Sequence, residues 1–310
     1  MALAVAITEP GGPDVMRVID RDIGEPGVGE VRVAVRAAAV HPSDIAFREH
    51  GIQGVDPPWV PGWDAAGTVQ SVGPGVAGLA VGDEVMVVVS PRRPEGGAQS
   101  ALLVAPATSV VPLPAGATFE QASTLPMNGL TALLGLELLA LPAGSTLLVT
   151  GGAGLLSSYA IPLAKRAGLR VLADASGADA EFVGGLGAEV LPRGDGLVAA
   201  VREAVPGGVD GVFDTALLGR TAFPAIRDGG ALAFVRTWDG KDVEDGVTIH
   251  RVWVGDVVER TDWLKELSEL AGQGVLPLRV VATYPPEQAA DAQRLMEAGG
   301  LRGRAVVVFG

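Results

Sequence analysis

Three groups of residues in this chain of 310 amino acids carry types and spacings suited to chemistry. The first runs from Leu147 to Ser158, where an apolar stretch passes into Gly151-Gly152-Ala153-Gly154 and then Leu155-Leu156-Ser157-Ser158. A strand, a glycine-rich turn and a helix in that order leave the first helical N–H groups unpaired. Together with the helix dipole they attract a diphosphate. The glycines let the backbone turn tightly and approach such a ligand without Cβ clashes. Gly152 and Gly154 fill two places of the pattern G-x-G-x-x-G, and Ser157 holds the third, which sets how closely helix and strand pack. Asp174 ends the next apolar run, about 20 residues further on, where a carboxylate accepts ribose hydroxyls and disfavours a 2′-phosphate. Ser176 and the cations Lys165, Arg166, Arg170 and Arg193 pull the other way, so these residues leave NADH and NADPH both open. The plainer readings are an unliganded turn and a solvated strand end.

The second group is His41 and Asp44, three apart across Pro42. One turn puts both side chains on one side, where an imidazole with a carboxylate to orient it can donate a proton. A histidine that only shapes a pocket wall is the alternative. Adding Asp64 gives one nitrogen and carboxylate oxygens, a set able to meet zinc. Without cysteine or a second histidine, however, the expectation is no metal. The third group is aromatic: Trp59, Trp63, Trp238 and Trp253 line an apolar substrate slot or, as is commoner for tryptophan, the core. Arg92 and Arg93 share a loop in which they face an anionic substrate or solvent.

Other chemistries are excluded by what is missing. There are no cysteines, so disulfides, thiolate nucleophiles and sulfur-ligated metals are ruled out. No P-loop, G-x-S-x-G elbow or H-E-x-x-H occurs. With 23 Lys+Arg against 36 Asp+Glu the net charge is −13, which repels nucleic acid and anionic lipid. No apolar run is long enough for a membrane span, and the N-terminus lacks a basic leader. The expectation is a soluble cytoplasmic protein acting on a small molecule.

The elements that must position these residues are of two kinds. Alternation over Met1–Ile7 and Val31–Arg36, with short runs at Gly67–Val72, Val85–Val89 and Ala101–Val104, predicts a small barrel or sandwich. Thr118 and Gln121 form a capping box that opens a helix. Beyond Ser145 the chain alternates apolar strands (Ser145–Thr150, Arg170–Asp174, Val209–Asp214, Ala231–Val235) with helices (Leu155–Gly168, Ala178–Leu186, Leu197–Ala204), which predicts a doubly wound parallel sheet. A helical stripe from Trp263 to Ala271, strand Leu278–Ala282, helix Pro286–Ala298 and strand Ala305–Phe309 close the chain.

Taken in order, Thr8-Glu9-Pro10-Gly11-Gly12-Pro13, Val40-His41-Pro42-Ser43-Asp44, Pro61-Gly62-Trp63-Asp64-Ala65-Ala66-Gly67, Val81-Gly82-Asp83-Glu84-Val85, Gly129-Leu130-Thr131-Ala132, the glycine loop and Gly300-Leu301-Arg302-Gly303-Arg304 resemble the medium-chain dehydrogenase/reductase superfamily, specifically its zinc-free quinone oxidoreductase branch. The resemblance implies a GroES-like β-barrel catalytic domain (1–117 and 261–310) around a Rossmann domain (118–260). It implies hydride transfer from NADP(H), or NAD(H), to a quinone or an activated C=C bond, in a homodimer that continues the Rossmann sheet through Ala231–Val235 and Val247–Val254. By position, it implies that Asn128 and Thr131 meet the nicotinamide, with Thr131, His41 and Asp44 as catalytic candidates. Gly152, Ala153, Gly154, Leu155, Leu156, Asp174, Ser176, Asp214, Thr215 and Arg236 would contact the cofactor, and Trp63, Asp64, Trp238 and Trp253 the substrate. The sequence departs from the family at Leu155–Ser157, at Pro162 and at Arg236, where a glycine is common. The altered Leu155–Ser157 loop and Arg236 motivate a second reading: a non-redox cyclase, isomerase or dehydratase using His41 and Asp44 as acid–base groups.

Overall fold

The computed structural model describes residues 1–52, 54–235 and 246–310. Two sequence-predicted residues, Arg236 and Trp238, lie outside them. In chain order the elements are β1 (Ala2–Ile7), β2 (Met16–Arg21), β3 (Glu30–Ala39), α1 (Pro42–His50), β4 (Asp64–Val72), β5 (Glu84–Val88), β6 (Leu102–Pro106) and β7 (Val110–Pro112). Next come α2 (Phe119–Ala122), α3 (Pro126–Leu139), β8 (Thr146–Val149), α4 (Leu155–Arg166), β9 (Arg170–Ala175), α5 (Ala180–Gly185), β10 (Glu189–Pro192), α6 (Leu197–Ala204) and β11 (Val209–Asp214). The chain finishes with β12 (Ile226–Val235), β13 (Thr248–Val252), α7 (Thr261–Gly272), β14 (Val280–Tyr284), α8 (Ala289–Glu297) and β15 (Arg304–Val308).

These elements form two compact units, Met1–Met127 with Val257–Gly310, and Asn128–Asp256. The first unit runs ten residues past the change of pattern at Pro112–Ala117, because α2 packs on β3 and β4. The Thr118 capping box opens α2 as the sequence predicts: Thr118 Oγ1 accepts from Gln121 N–H, and Gln121 Oε1 accepts from Thr118 N–H.

In the first unit seven strands form one sheet, ordered β14-β15-β3-β4-β5-β7, with β6 also on β3. The long strand β3 organises it. Its first half, Glu30–Ala34, pairs with β6, and its end, Ala37–Ala39, pairs with β15 from the far end of the chain. Strand β4 covers the opposite edge of β3. The alternation Val31, Val33, Val35 buries one face of β3 against Val85, Val87, Val110 and Val307. Each fully buried valine contributes about 1.5–3 kcal/mol, enough to fix the register.

The second unit is a six-stranded parallel sheet, ordered β10-β9-β8-β11-β12-β13. Its central strands are apolar on both faces because helices cover both, which is why they read as continuous runs and not as alternation. Strand β13 forms one end of the sheet, whereas Ala231–Val235 of β12 lies inside it, paired on both sides. Only the Val247–Val254 part of the expected dimer edge is therefore an edge. Among the elements that periodicity did not reveal are β10, half exposed and four residues long, and α1, too short for a helical stripe.

Candidate functional site

Helix α1 starts abruptly. His41 is its N-cap, Pro42 supplies the preset φ of the first helical position, and Asp44 sits at the third. The Asp44 carboxylate folds back on the main chain: Oδ2 accepts from His41 N–H at 2.8 Å, and Oδ1 accepts from Gly62 N–H at 3.0 Å. Gln99 Nε2 adds a longer donation at 3.4 Å. Asp44 thus holds the backbone of the loop carrying His41 and does not orient the imidazole, as its spacing suggested.

The groups that face the ring come from elsewhere. Asp64 opens β4, and its Oδ2 lies 3.3 Å from His41 Nε2, both side chains being fully buried. Its other oxygen accepts from Met127 N–H at 3.0 Å. Arg304, at the start of β15, donates from Nε to His41 Nδ1 at 3.3 Å. Because arginine only donates, Nδ1 is the acceptor nitrogen, and a neutral ring carries its proton on Nε2, toward Asp64. Burial pushes the carboxyls of Asp44 and Asp64 up from the ordinary aspartate value; His41, and for Asp64 also Arg304, pull the other way. The result is a buried cluster in which Arg304 marks Nδ1 as the acceptor, while Nε2, 3.3 Å from Asp64 Oδ2, forms no well-directed hydrogen bond.

In the second unit the chemistry belongs to the backbone. Strand β8 ends at Val149, Gly151 takes a left-handed φ of 66°, and Gly154 caps α4. A Cβ at Gly152 would stand 2.9 Å from the Asp174 carbonyl oxygen, so only glycine lets the loop lie on β9. Asp174 Oδ1 accepts from Gly151 N–H at 2.6 Å, and Oδ2 lies 4.0 Å from Arg193 Nε. Burial raises this carboxyl too. The residue expected to receive a ribose therefore clamps its own loop. Ser176, the other expected ribose neighbour, donates to Asp179 Oδ2 at 2.5 Å.

Around the loop is a lattice of hydroxyls. Thr150 Oγ1 donates to Asp214 Oδ1 at 2.7 Å and accepts from the N–H groups of Thr215 and Ala216. Asp214 also accepts from Leu218 and Gly219 N–H. Ser157, in the third glycine place, is fully buried; its hydroxyl donates to the Thr150 carbonyl at 3.1 Å and lies 2.6 Å from Thr215 Oγ1. The serine thus fastens α4 to the end of β8, where the usual glycine would only allow close approach. Asp214 and Thr215 are the scaffold of this loop. Leu155 is buried, while Ala153 and Leu156 are partly exposed beside it. Pro162, inside α4, is buried without ending the helix.

The remaining expected residues are placed as follows. Asn128 and Thr131 are buried on α3. Trp63 is a fully buried core side chain, and Trp59 belongs to the apolar core, its Nε1 donating to the Val55 carbonyl. Trp253 is half buried with Arg251 over its ring. Arg304 was not legible as a site residue, since it lies 263 positions from His41 in sequence and no local spacing could pair them; Ser157, Asp214 and Thr215 were, but not their bonds to Thr150.

This backbone cradle fits a dinucleotide diphosphate: a left-handed glycine, a position where any Cβ collides, and a helix opening at Gly154. Among the described residues no group of three or more histidine, aspartate or glutamate side chains is placed to hold a metal ion.

Comparison with known proteins agrees with these features. Residues 27–115 match the alcohol dehydrogenase GroES-like domain, and residues 186–307 match the zinc-binding dehydrogenase family. The chain is 32% identical over 309 residues to the NADPH-dependent alkenal/one oxidoreductase of Arabidopsis thaliana, covering 96% of this chain and 77% of that one. It is 32% identical over 239 residues to the 2-methylene-furan-3-one reductase of Solanum lycopersicum, covering 74% of this chain but only 61% of the relative. The solved structure of a mycobacterial quinone oxidoreductase superposes over the full length of both chains with a TM-score of 0.83 at 28% identity. The fold and site define a nicotinamide-dependent oxidoreductase. The chain belongs to the medium-chain dehydrogenase/reductase superfamily, with the quinone oxidoreductases and enone reductases as its relatives.

Proposed function

We propose that this protein is a zinc-independent, NADPH-preferring reductase of α,β-unsaturated carbonyls or quinones, acting as a homodimer in the cytoplasm. The carrying observation is the glycine loop at the start of α4, clamped by Asp174 and fastened by Ser157. The amides of Ala153 to Leu156 hold the diphosphate, with Gly152 giving the clearance. When bound there, the reduced nicotinamide supplies a hydride to the β-carbon of the acceptor. Asn128 and Thr131 of α3 orient the pyridine ring. His41 keeps a proton on Nε2 at Asp64, under the control of Arg304, and that proton completes the reduction. Trp253 contributes apolar surface to the acceptor slot.

The preference for NADPH follows from where the charges stand. Asp174 spends one oxygen on Gly151, while Arg193, beside its other oxygen and 63% exposed, offers a cation to a 2′-phosphate. Among the described residues β13 ends the sheet, and a second copy can extend it there. Among the described residues no helix is long and apolar enough to cross a membrane. The test is spectrophotometric: loss of NADPH and NADH absorbance is followed with a panel of enones and small quinones. Turnover with NADPH and at least one acceptor class is expected; failure of both cofactors to bind at millimolar concentration overturns the reading.

A further inference from the structure

The first unit also contains a polar cavity, apart from the His41 cluster. It measures ≈ 190 Å³ and is walled by the end of β2 and the residues after it (Arg21, Asp22), the loop at Arg93–Gly97, and the start of β6 from Ser100. From this geometry we propose that the cavity is a binding site for a small carboxylate, held by Arg93, Arg21 and the Ser100 hydroxyl.

Two donors on its wall lack partners among the described residues. Arg93 Nη2 is buried and makes no hydrogen bond, although Nε of the same side chain donates to the Gly96 carbonyl at 2.8 Å. The Ser100 Oγ is likewise buried and unpaired, on a residue only 1% exposed. A buried cationic donor without an acceptor is costly, and native structures rarely tolerate it unless something else supplies the acceptor. Arg21 approaches the same loop: a Cβ built on Gly96 would lie 3.4 Å from its Nη1. Burial holds both guanidinia below the ordinary arginine value, and each cation lies in surroundings that would be relieved by an anion.

None of the four acidic residues on the cavity wall, Asp22, Glu25, Glu30 and Glu95, accepts a hydrogen bond from Arg93 Nη2. Glu25 pairs with Arg32 at 2.7 Å, and Glu30 accepts from Gly27 N–H at 2.8 Å. Glu95, 57% exposed, comes no closer to Arg93 Nε than 4.0 Å. These rim carboxylates offset part of the positive charge, which favours a ligand of low charge over a multiply charged phosphate. A carboxylate also matches the planar guanidinium, whose parallel N–H donors it can accept in pairs, and leaves the serine hydroxyl as a third contact. The volume admits a molecule of several heavy atoms beyond the carboxylate itself.

The experiment is a thermal-shift and calorimetric titration of the full chain with acetate, succinate, phosphate and chloride at constant ionic strength. Acetate or succinate is expected to raise Tm by about 2–4 °C at several times its Kd, with phosphate weaker and chloride silent. Arg93→Gln is expected to abolish the shift. Because that variant also alters a buried side chain, Ser100→Ala serves as a second: it should retain the wild-type Tm without ligand to within a degree or two and weaken carboxylate binding several-fold. Absence of any carboxylate-specific shift overturns the proposal, as does equal stabilisation by chloride or an undiminished shift in both variants.

Discussion

The two polar clusters solve opposite problems. Around the glycine loop, Thr150, Ser157, Thr215 and Asp214 form a lattice in which hydroxyls mediate between backbone groups and a single carboxylate. Around His41, by contrast, two carboxylates, an imidazole and a guanidinium are packed together with little neutral material between them. The first cluster fixes shape, and its side chains need never change state. The second stores charge in a place where charge is expensive. A loop that must present backbone N–H groups needs rigid, neutral supports, whereas the His41 cluster is built from ionisable groups drawn from three separate strands and loops. The same chain supplies both because different units carry them.

Substitutions can break this contrast, beginning with the most severe. Gly152→Val should abolish nucleotide binding and turnover, because its Cβ would stand 2.9 Å from a carbonyl of β9 and its branches closer still; nucleotide fluorescence titration reads the loss. Asp214→Ala should lower stability by about 3–5 kcal/mol, since it strands the Thr150 hydroxyl and two backbone N–H groups. Chemical denaturation would show this as a lower midpoint, and an unchanged midpoint would mean that the lattice is dispensable.

In the charged cluster, His41→Gln should reduce kcat by about 100-fold while leaving the KM for NADPH near its wild-type value. A parallel loss in KM would instead make His41 a structural residue. Ser157→Gly restores the more usual residue but removes a buried hydroxyl bond and adds helix entropy, so a stability loss of about 1–2 kcal/mol is expected with nucleotide affinity little changed.

The smallest effect is on pH dependence. The folded values of Asp44, Asp64 and Asp174 are raised above the ordinary 3.8 by burial. The native chain therefore binds these protons more tightly than the unfolded chain does. Their contribution favours folding most at acid pH and declines as pH rises from about 3.8 through the raised folded values. Asp64→Asn should flatten that decline, as measured by denaturation across the range, and a steeper slope in the variant would contradict the assignment.

Much of this was legible in the sequence where a local rule governs. The Thr118 capping box, the alternation in β3, the apolar runs of β8, β9 and β11 and the glycine turn each depend on residues within a few positions of one another. The partners of the site residues were not, because they depend on topology. Asp44 had the right spacing to face His41, yet backbone N–H groups at His41 and Gly62 claimed its carboxylate. Asp174 likewise gives one carboxylate oxygen to Gly151 N–H. In both cases a main-chain donor close by claims carboxylate oxygen, which a reading of side-chain types alone does not register. Arg304 became a neighbour of His41 only because β15 returns to pair with β3.

That return has a consequence for synthesis. The strand completing the middle of the larger sheet, and the arginine that sets the histidine's tautomer, leave the ribosome after the whole Asn128–Asp256 unit has been made. The parallel sheet can fold on the nascent chain as a self-contained body. The amino-terminal strands must wait, with one side of Ala37–Ala39 unzipped and His41 without its guanidinium, until β15 has been made. The surroundings of His41 are thus completed only after the glycine loop of the parallel sheet has its own partners.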